Sequence, residues 1–192
     1  MAQKVTAAEF KQELKDNNGK IKDKKVEEPI VFSVRQGDDF DQPPTEIKDC
    51  KLTSISFDGL RYPALSLIDC DIDTLLITSS IEIGTLEIKK CKIGEIKIDE
   101  SSIQNLDLNL DDKKCKFALQ RMNAFEFLSI SGNFETLLLD TFRVRNFSLK
   151  KVEIDTFSMV HLVVAEFTSE KVTYKQLGLW DDVNFNRAAF GA

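Results

Sequence analysis

Four cysteines and one histidine carry most of the nucleophilic and metal-binding potential of this 192-residue chain. Cys50, Cys70, Cys91 and Cys115 lie 20, 21 and 24 residues apart. That spacing contains no CxxC pair and does not suit a zinc site. An even count would suit disulfides in a secreted protein. A recurrence near 20 residues fits better with small thiols stacked inside a repeating fold. The expectation is four free thiols, with Cys50, Cys70 and Cys91 in one buried ladder. His161 stands alone, at an outward corner just before the inward Leu162. No Ser-His-Asp or Cys-His pair can be assembled while the cysteines point inward. Gly84 and Gly94 are isolated corner residues and not a phosphate loop. Carboxylates are plentiful (Asp69, Asp71, Asp73, Asp99, Glu100, Asp107, Asp111 and Asp112). The expected site inventory is therefore no catalytic residue, no cofactor and no metal.

The elements that must position these groups repeat every five residues. From Cys70 to Leu108, apolar or small residues fall in pairs two apart: Cys91/Ile93, Ile96/Ile98, Ser101/Ile103, Leu106/Leu108. A helix needs spacings of three and four, and a simple strand alternates without a break. Two in and three out at a bend is the pattern of a chain wound into a coil with short straight sides. Four such sides give about 20 residues per coil, so residues 20 apart stack at roughly 4.8 Å.

The frame can be followed along the chain. Residues 5–19 carry the one clear helix signal, with Thr6 and Glu9 as a capping box, Val5 and Phe10 as a staple, and Asn17-Asn18-Gly19 as the stop. So short a helix must dock, and the open first coil is what it would cover. Ile30–Val34 reads as a first strand and Gly37–Pro44 as a loop. Inward pairs start at Thr45/Ile47 and continue through Cys50/Leu52, Ile55/Phe57, Leu60/Tyr62, Leu65/Leu67, Cys70/Ile72 and Leu75/Ile77. One residue is inserted at Ser80-Ile81, and Ser80 is expected to stack with Ser101. Beyond a loop at Asp111–Lys114 the expected pairs are Cys115/Phe117, Gln120/Met122 and Phe125/Phe127. From Gly132 to Val164, thirteen of fourteen inward positions are apolar, against three of the nineteen between them. A 42 % hydrophobic composition does not produce that contrast by chance. In the stretch Glu170–Trp180 a short helix or irregular cap is expected, after which Val183/Phe185 and Ala188/Phe190 return to the beat. The division is an N-terminal capping helix with a lead-in strand and loop over 1–44, a β-helix over 45–168, and a C-terminal cap or partial coil over 169–192.

This beat, as in CKIGE IKIDE SSIQN LDL and AAFGA, resembles that of the pentapeptide-repeat family over about two thirds of the chain. The resemblance implies a right-handed quadrilateral β-helix. The chain departs from the family in its large first inward residues: Ile55, Leu75, Leu86, Ile96, Phe142, Phe147 and Phe157. A wider right-handed parallel β-helix is the alternative geometry. IGTLEIKKCKI also fits a leucine-rich pattern, but its next match starts ten residues later, too soon for units of at least 20. The fold expectation is all-β, a right-handed parallel β-helix of about 20 residues per coil with a short N-terminal capping helix.

A net charge of −6 argues against direct nucleic-acid binding, which needs a clustered basic surface. The start, MAQKVTAAEF, has no apolar run of signal-peptide length, and no window reaches membrane-spanning length. The expected setting is the cytoplasm, away from membranes. Three functional readings are weighed. The first is a non-enzymatic protein-binding or scaffold rod, with Tyr174 and the single Trp180 as candidate partner or self-association contacts at a coil end. The alternative, which the resemblance suggests, is a DNA-mimicking inhibitor or protector of a type II topoisomerase. Against it, Lys51, Asp71 and Lys92 should stack in one mixed-charge column. The third is a carbohydrate-active β-helix enzyme, but loops of one to four residues leave nothing to build a groove.

Overall fold

The computed structural model describes residues 2–111 and 113–191, with all their side chains except that of Gln36. Asp112, one of the carboxylates named above, lies outside the described residues, as do Met1 and Ala192. In chain order the elements are β1 (Gln3–Lys4), α1 (Ala7–Asp16), β2 (Lys20–Lys22), β3 (Lys24–Ser33) and a 3-10 turn at Val34–Gln36. They continue with β4 (Thr45–Lys48), β5 (Lys51–Asp58), β6 (Arg61–Ile68), β7 (Asp71–Thr78), β8 (Glu82–Asp99), β9 (Ser102–Leu110), β10 (Cys115–Gln120) and β11 (Phe125–Gly191). Every strand pairing between these elements is parallel. Alternate arms pair with one another: β1, β3, β5 and β7 form one series, and β2, β4 and β6 the other. β8 runs through a corner and joins both series. The result is an all-β parallel solenoid of about six turns, with about 21 residues per turn and one short N-terminal helix.

The five-residue beat is there, but its corners are of two kinds. Sharp ones lie at Asp49, Gly59, Asp69, the Ser79–Ser80 pair, Lys90 and Glu100, where φ is 52, 66, 53, 60 and 63, 53 and 49°. They recur about every ten residues. Midway between them the chain stays extended, yet the buried residues Leu52 and Ile55 are three apart, so strict alternation breaks and the arm bends. Each turn is thus two eight-residue arms with a soft bend in the middle and left-handed corners at the ends. Gly and, after it, Asp accept that backbone most readily, whereas at Ser79, Ser80, Lys90 and Glu100 it costs about 1 kcal/mol each. At the soft bend of β8, Gly84 is required by closeness: a Cβ there would sit 2.5 Å from the Pro63 carbonyl oxygen of the turn below.

The inward positions expected from Thr45 to Leu108 are buried, Ser80 apart. From Phe134 to Val164 the same thirteen apolar positions are buried. Four expectations need correction. Ser80 is exposed and at a corner, while Ile81 takes the inward place next to buried Ser101. The inserted residue is absorbed by two successive left-handed residues, Ser79 and Ser80. In β10, Phe117 and Leu119 face Ile96 and Ile98, so Leu119 points inward where Gln120 was expected. In β11, Leu128 and Ile130 face Leu106 and Leu108, which leaves Phe127 43 % exposed. Likewise Glu170–Trp180 is extended within β11, neither a helix nor an irregular cap. The ladder also reaches back before Thr45, since Lys25 faces Lys51 and Ile21 faces Ile47.

α1 sits at the N-terminal end. Thr6 accepts from the Glu9 N–H, and the Glu9 carboxylate accepts from the Thr6 N–H, closing the capping box. Phe10 and Leu14 are buried.

All four cysteines are free and buried. Cys50, Cys70 and Cys91 occupy successive turns, and their thiols donate to the backbone carbonyls of Lys48, Ile68 and Lys89 at 3.1, 3.2 and 3.4 Å. Cys115 lies elsewhere, on β10. Its burial pushes that thiol up to about 12, and a hydrogen bond with Cys70, then burial, pushes Cys50 up. A hydrogen bond with Cys70 shifts the Cys91 thiol the other way, below its ordinary value, so its protection rests on burial. With all four sulfurs buried, a thiol reagent at pH 7 should label none of them until the chain unfolds. Four equivalents reacting within the mixing time under native conditions would refute the buried column.

Candidate functional site

The two candidate contact residues lie together at the C-terminal end of the solenoid. Tyr174 and Trp180 are 51 and 47 % exposed, yet both rest on buried Phe157, with ring centroids 6.4 and 6.0 Å away. Phe190 does the same against Phe167 at 5.7 Å and is 75 % exposed. The half-buried Phe185 lies 4.9 Å from Phe167. These rings and Leu177 border an open trough of about 540 Å³ whose floor includes Met159 and Leu149. The trough is the solenoid core seen end-on. Each earlier turn has its inward side chains covered by the next, whereas no described residue lies one turn beyond 172–191.

The trough offers adhesion and little chemistry. Among its lining residues, the only side chains with polar atoms besides the Trp180 N–H are Ser169 and Tyr174, so no acid–base pair faces it. Sequence reasoning found Tyr174 and Trp180 but not Leu177 or Phe190 as exposed companions. The available signal was the five-residue beat itself, which continues to Phe190, a residue that no described residue covers.

The remaining candidates are dispersed. His161 sits at a left-handed corner, half exposed, with Nδ1 3.7 Å from Asp140 Oδ1. The nearby Thr141 hydroxyl donates to Asp140 and not to the imidazole. Several of the carboxylates have basic partners. Lys51 and Lys113 flank Asp71 at 3.3 and 3.9 Å, and Lys113 reaches Asp73 at 3.7 Å. Lys92 lies 3.8 Å from Asp111. Lys51, Asp71 and Lys92 do stack in one column. Among the described residues, no three His, Cys, Asp or Glu side chains come together in a way that could hold a metal ion. No helix is long and apolar enough to cross a membrane.

No protein family, curated protein or solved structure matches the chain. The parallel solenoid is compatible with a β-helix repeat protein.

The Asp99–Arg121 pair joins a buried carboxylate to a guanidinium that is more than half exposed. Asp99 is 6 % exposed and accepts from Arg121 Nε at 2.9 Å. The Arg121 guanidinium, with Lys97 adding to it, holds this carboxyl below the ordinary value against the opposing effect of burial. A depressed carboxyl adds stability above its unfolded pKa of about 3.9 and loses it as pH falls through the folded value. Arg121→Ala should destabilise the chain at pH 7, and the difference from wild type should vanish toward pH ~2. Urea titrations across this range test it. A pH-independent difference would mean that Arg121 acts by packing alone.

Proposed function

We propose that this chain is a cytoplasmic rod of the pentapeptide-repeat type that works without enzymatic activity, by binding protein. The observation that carries the reading is the apolar end bearing Tyr174 and Trp180, both about half exposed on a rigid floor. A surface already fixed in position loses little conformational entropy when it binds. Aromatic residues over a packed floor are also the usual anchors of protein interfaces. The mixed-charge columns on the sides favour this reading over DNA mimicry, because Lys–Asp neighbours cancel the field that a mimic must project.

The test is affinity capture from an extract of the native organism, with Tyr174→Ala and Trp180→Ala chains alongside. The expected result is a protein retained by the wild-type chain and lost by both variants. Capture of topoisomerase subunits together with inhibited supercoiling would replace this reading with the mimic. Turnover of a polysaccharide or small molecule, lost on replacing His161 or surface carboxylates, would sink it.

A further inference from the structure

The sharp corners stack into two edges along the solenoid, and the edges differ in charge. One runs through Asp49, Asp69, Lys90, Gly132, Lys151 and Lys171, the other through Gly59, Ser79, Glu100, Arg121, Thr141 and His161. From one residue before each left-handed position to two after it, the first edge comprises residues 22–25, 48–51, 68–71, 89–92, 131–134, 150–153 and 170–173. It carries eleven lysines against six Asp and Glu. The second comprises 58–61, 78–82, 99–102, 120–123, 140–143, 160–163 and 181–184, with three arginines against seven Asp and Glu. The net −6 of the chain thus conceals a basic edge.

Ion pairing sets the first edge further apart. Among the described residues, nine Lys and Arg side chains have no carboxylate partner, and six of them lie on this edge: Lys22, Lys48, Lys90, Lys150, Lys151 and Lys171. Five are exposed and Lys48 is half-buried. A free ammonium takes up an incoming carboxylate without breaking an existing pair. Backbone register keeps the edge in line: Lys48 faces Ile68, Ile68 faces Lys89, Lys89 faces Asn109 and Asn109 faces Ser131, and the corners at Lys151 and Lys171 follow. From Lys48 to Lys171 is six turns, about 29 Å. An extended peptide rises about 3.4 Å per residue, so roughly nine residues cover that length.

Resting on the protein-binding reading, we infer that the lysine-bearing edge is a docking surface for an extended acidic segment of the partner protein, its carboxylates held by Lys48, Lys90, Lys150, Lys151 and Lys171. The carboxylates of the edge itself favour a peptide over nucleic acid. Asp49, Asp69, Glu153 and Glu170 stand between the free lysines and have no basic partner among the described residues. A DNA duplex carries a negative charge about every 1.7 Å along its axis and would press phosphates onto these four. A segment whose Asp and Glu are separated by uncharged residues seats its charges on the lysines and passes the carboxylates by.

The probe is a fluorescein-labelled Ser-Glu repeat of about ten residues, the length that spans the row. It is titrated with the 192-residue chain and followed by anisotropy, beside a Ser-Lys repeat and a DNA duplex of equal length. Lys90→Glu and Lys150→Glu alter the basic edge, and Arg143→Glu alters the acidic one. All three positions are exposed, none has a carboxylate partner among the described residues, and each substitution changes the net charge equally. Unchanged circular dichroism and melting are checked first. The Ser-Glu repeat should bind at low salt and be released toward ~0.15 M ionic strength. Each lysine variant should raise its dissociation constant at least about threefold, while Arg143→Glu leaves it as it was. No binding at low salt overturns the inference. So does an equal loss from all three variants, which would be an effect of net charge and not of the edge. A duplex held more tightly than the peptide, through the same lysines, overturns it in favour of nucleic acid. Capture from the native extract separates this inference from the reading it rests on. A protein retained through Tyr174 and Trp180 but indifferent to Lys90→Glu and Lys150→Glu overturns the docking edge alone. An extract from which the wild-type chain retains no protein overturns the protein-binding reading as well.

Discussion

Ile96→Asp should leave the chain unfolded or insoluble, while Lys97→Asp, one residue along, should change its stability by less than about 1 kcal/mol. Ile96 is fully buried and stacks between Leu75 of the preceding turn and Phe117 of the following one. Asp there forfeits about 1.5–3 kcal/mol of side-chain burial. It also places a carboxylate where no donor is on hand, at a further cost of several kcal/mol whether it stays charged or takes up a proton. That sum rivals the whole stability of an ordinary domain, about 5–15 kcal/mol. Lys97 points outward, half exposed, with only a 3.7 Å approach to Asp99. Circular dichroism, solubility and urea titration decide the matter. Equal effects from the two substitutions would mean that the inward frame is misplaced.

The inward frame was legible because it depends on one physical fact, that a side chain two along from a buried one is buried too, and that the next pair follows after a bend. Ile96/Ile98, Leu106/Leu108 and Phe147/Leu149 follow directly. Corner geometry was less legible. Asp49, Gly59 and Asp69 are types that tolerate left-handed backbone, but Lys90 and Glu100 are not, and only the neighbouring turn holds them there. The errors at Ser80, Gln120 and Phe127 all come from irregularities of one residue. Sequence shows that a residue has been added but not whether a corner, a bulge or a frame shift absorbs it. The candidate end was partly legible: Tyr174 and Trp180 stood out as rare aromatic residues. Their exposure, and that of Phe190, depends on what lies one turn further on, and a repeat pattern carries no information about its own end.

Removing residues 2–19 should uncover the N-terminal end of the solenoid. The deletion takes away β1, which pairs with β3, and α1, whose Phe10 and Leu14 are buried. Their loss should cost roughly 3–6 kcal/mol of burial, and it leaves Lys24 without its partners Gln3 and Glu13. It also bares the edges of β2 and β3 and the apolar residues Ile21, Val26 and Ile30 behind them. An uncovered parallel edge is a template for another chain. The exposed apolar trough around Trp180 and Phe190 on one copy can then meet the bared end of the next, and such a heterologous contact need not close. The shortened chain should therefore scatter light as species that grow with time and concentration, beyond the size reached by the full chain at equal concentration. Adding Phe190→Asp to the deletion should slow that growth by blocking the other end. A shortened chain that keeps the melting temperature and mass of the full one would remove the capping role of α1. A shortened chain that grows equally fast with Phe190→Asp would show that the C-terminal trough takes no part in the assembly.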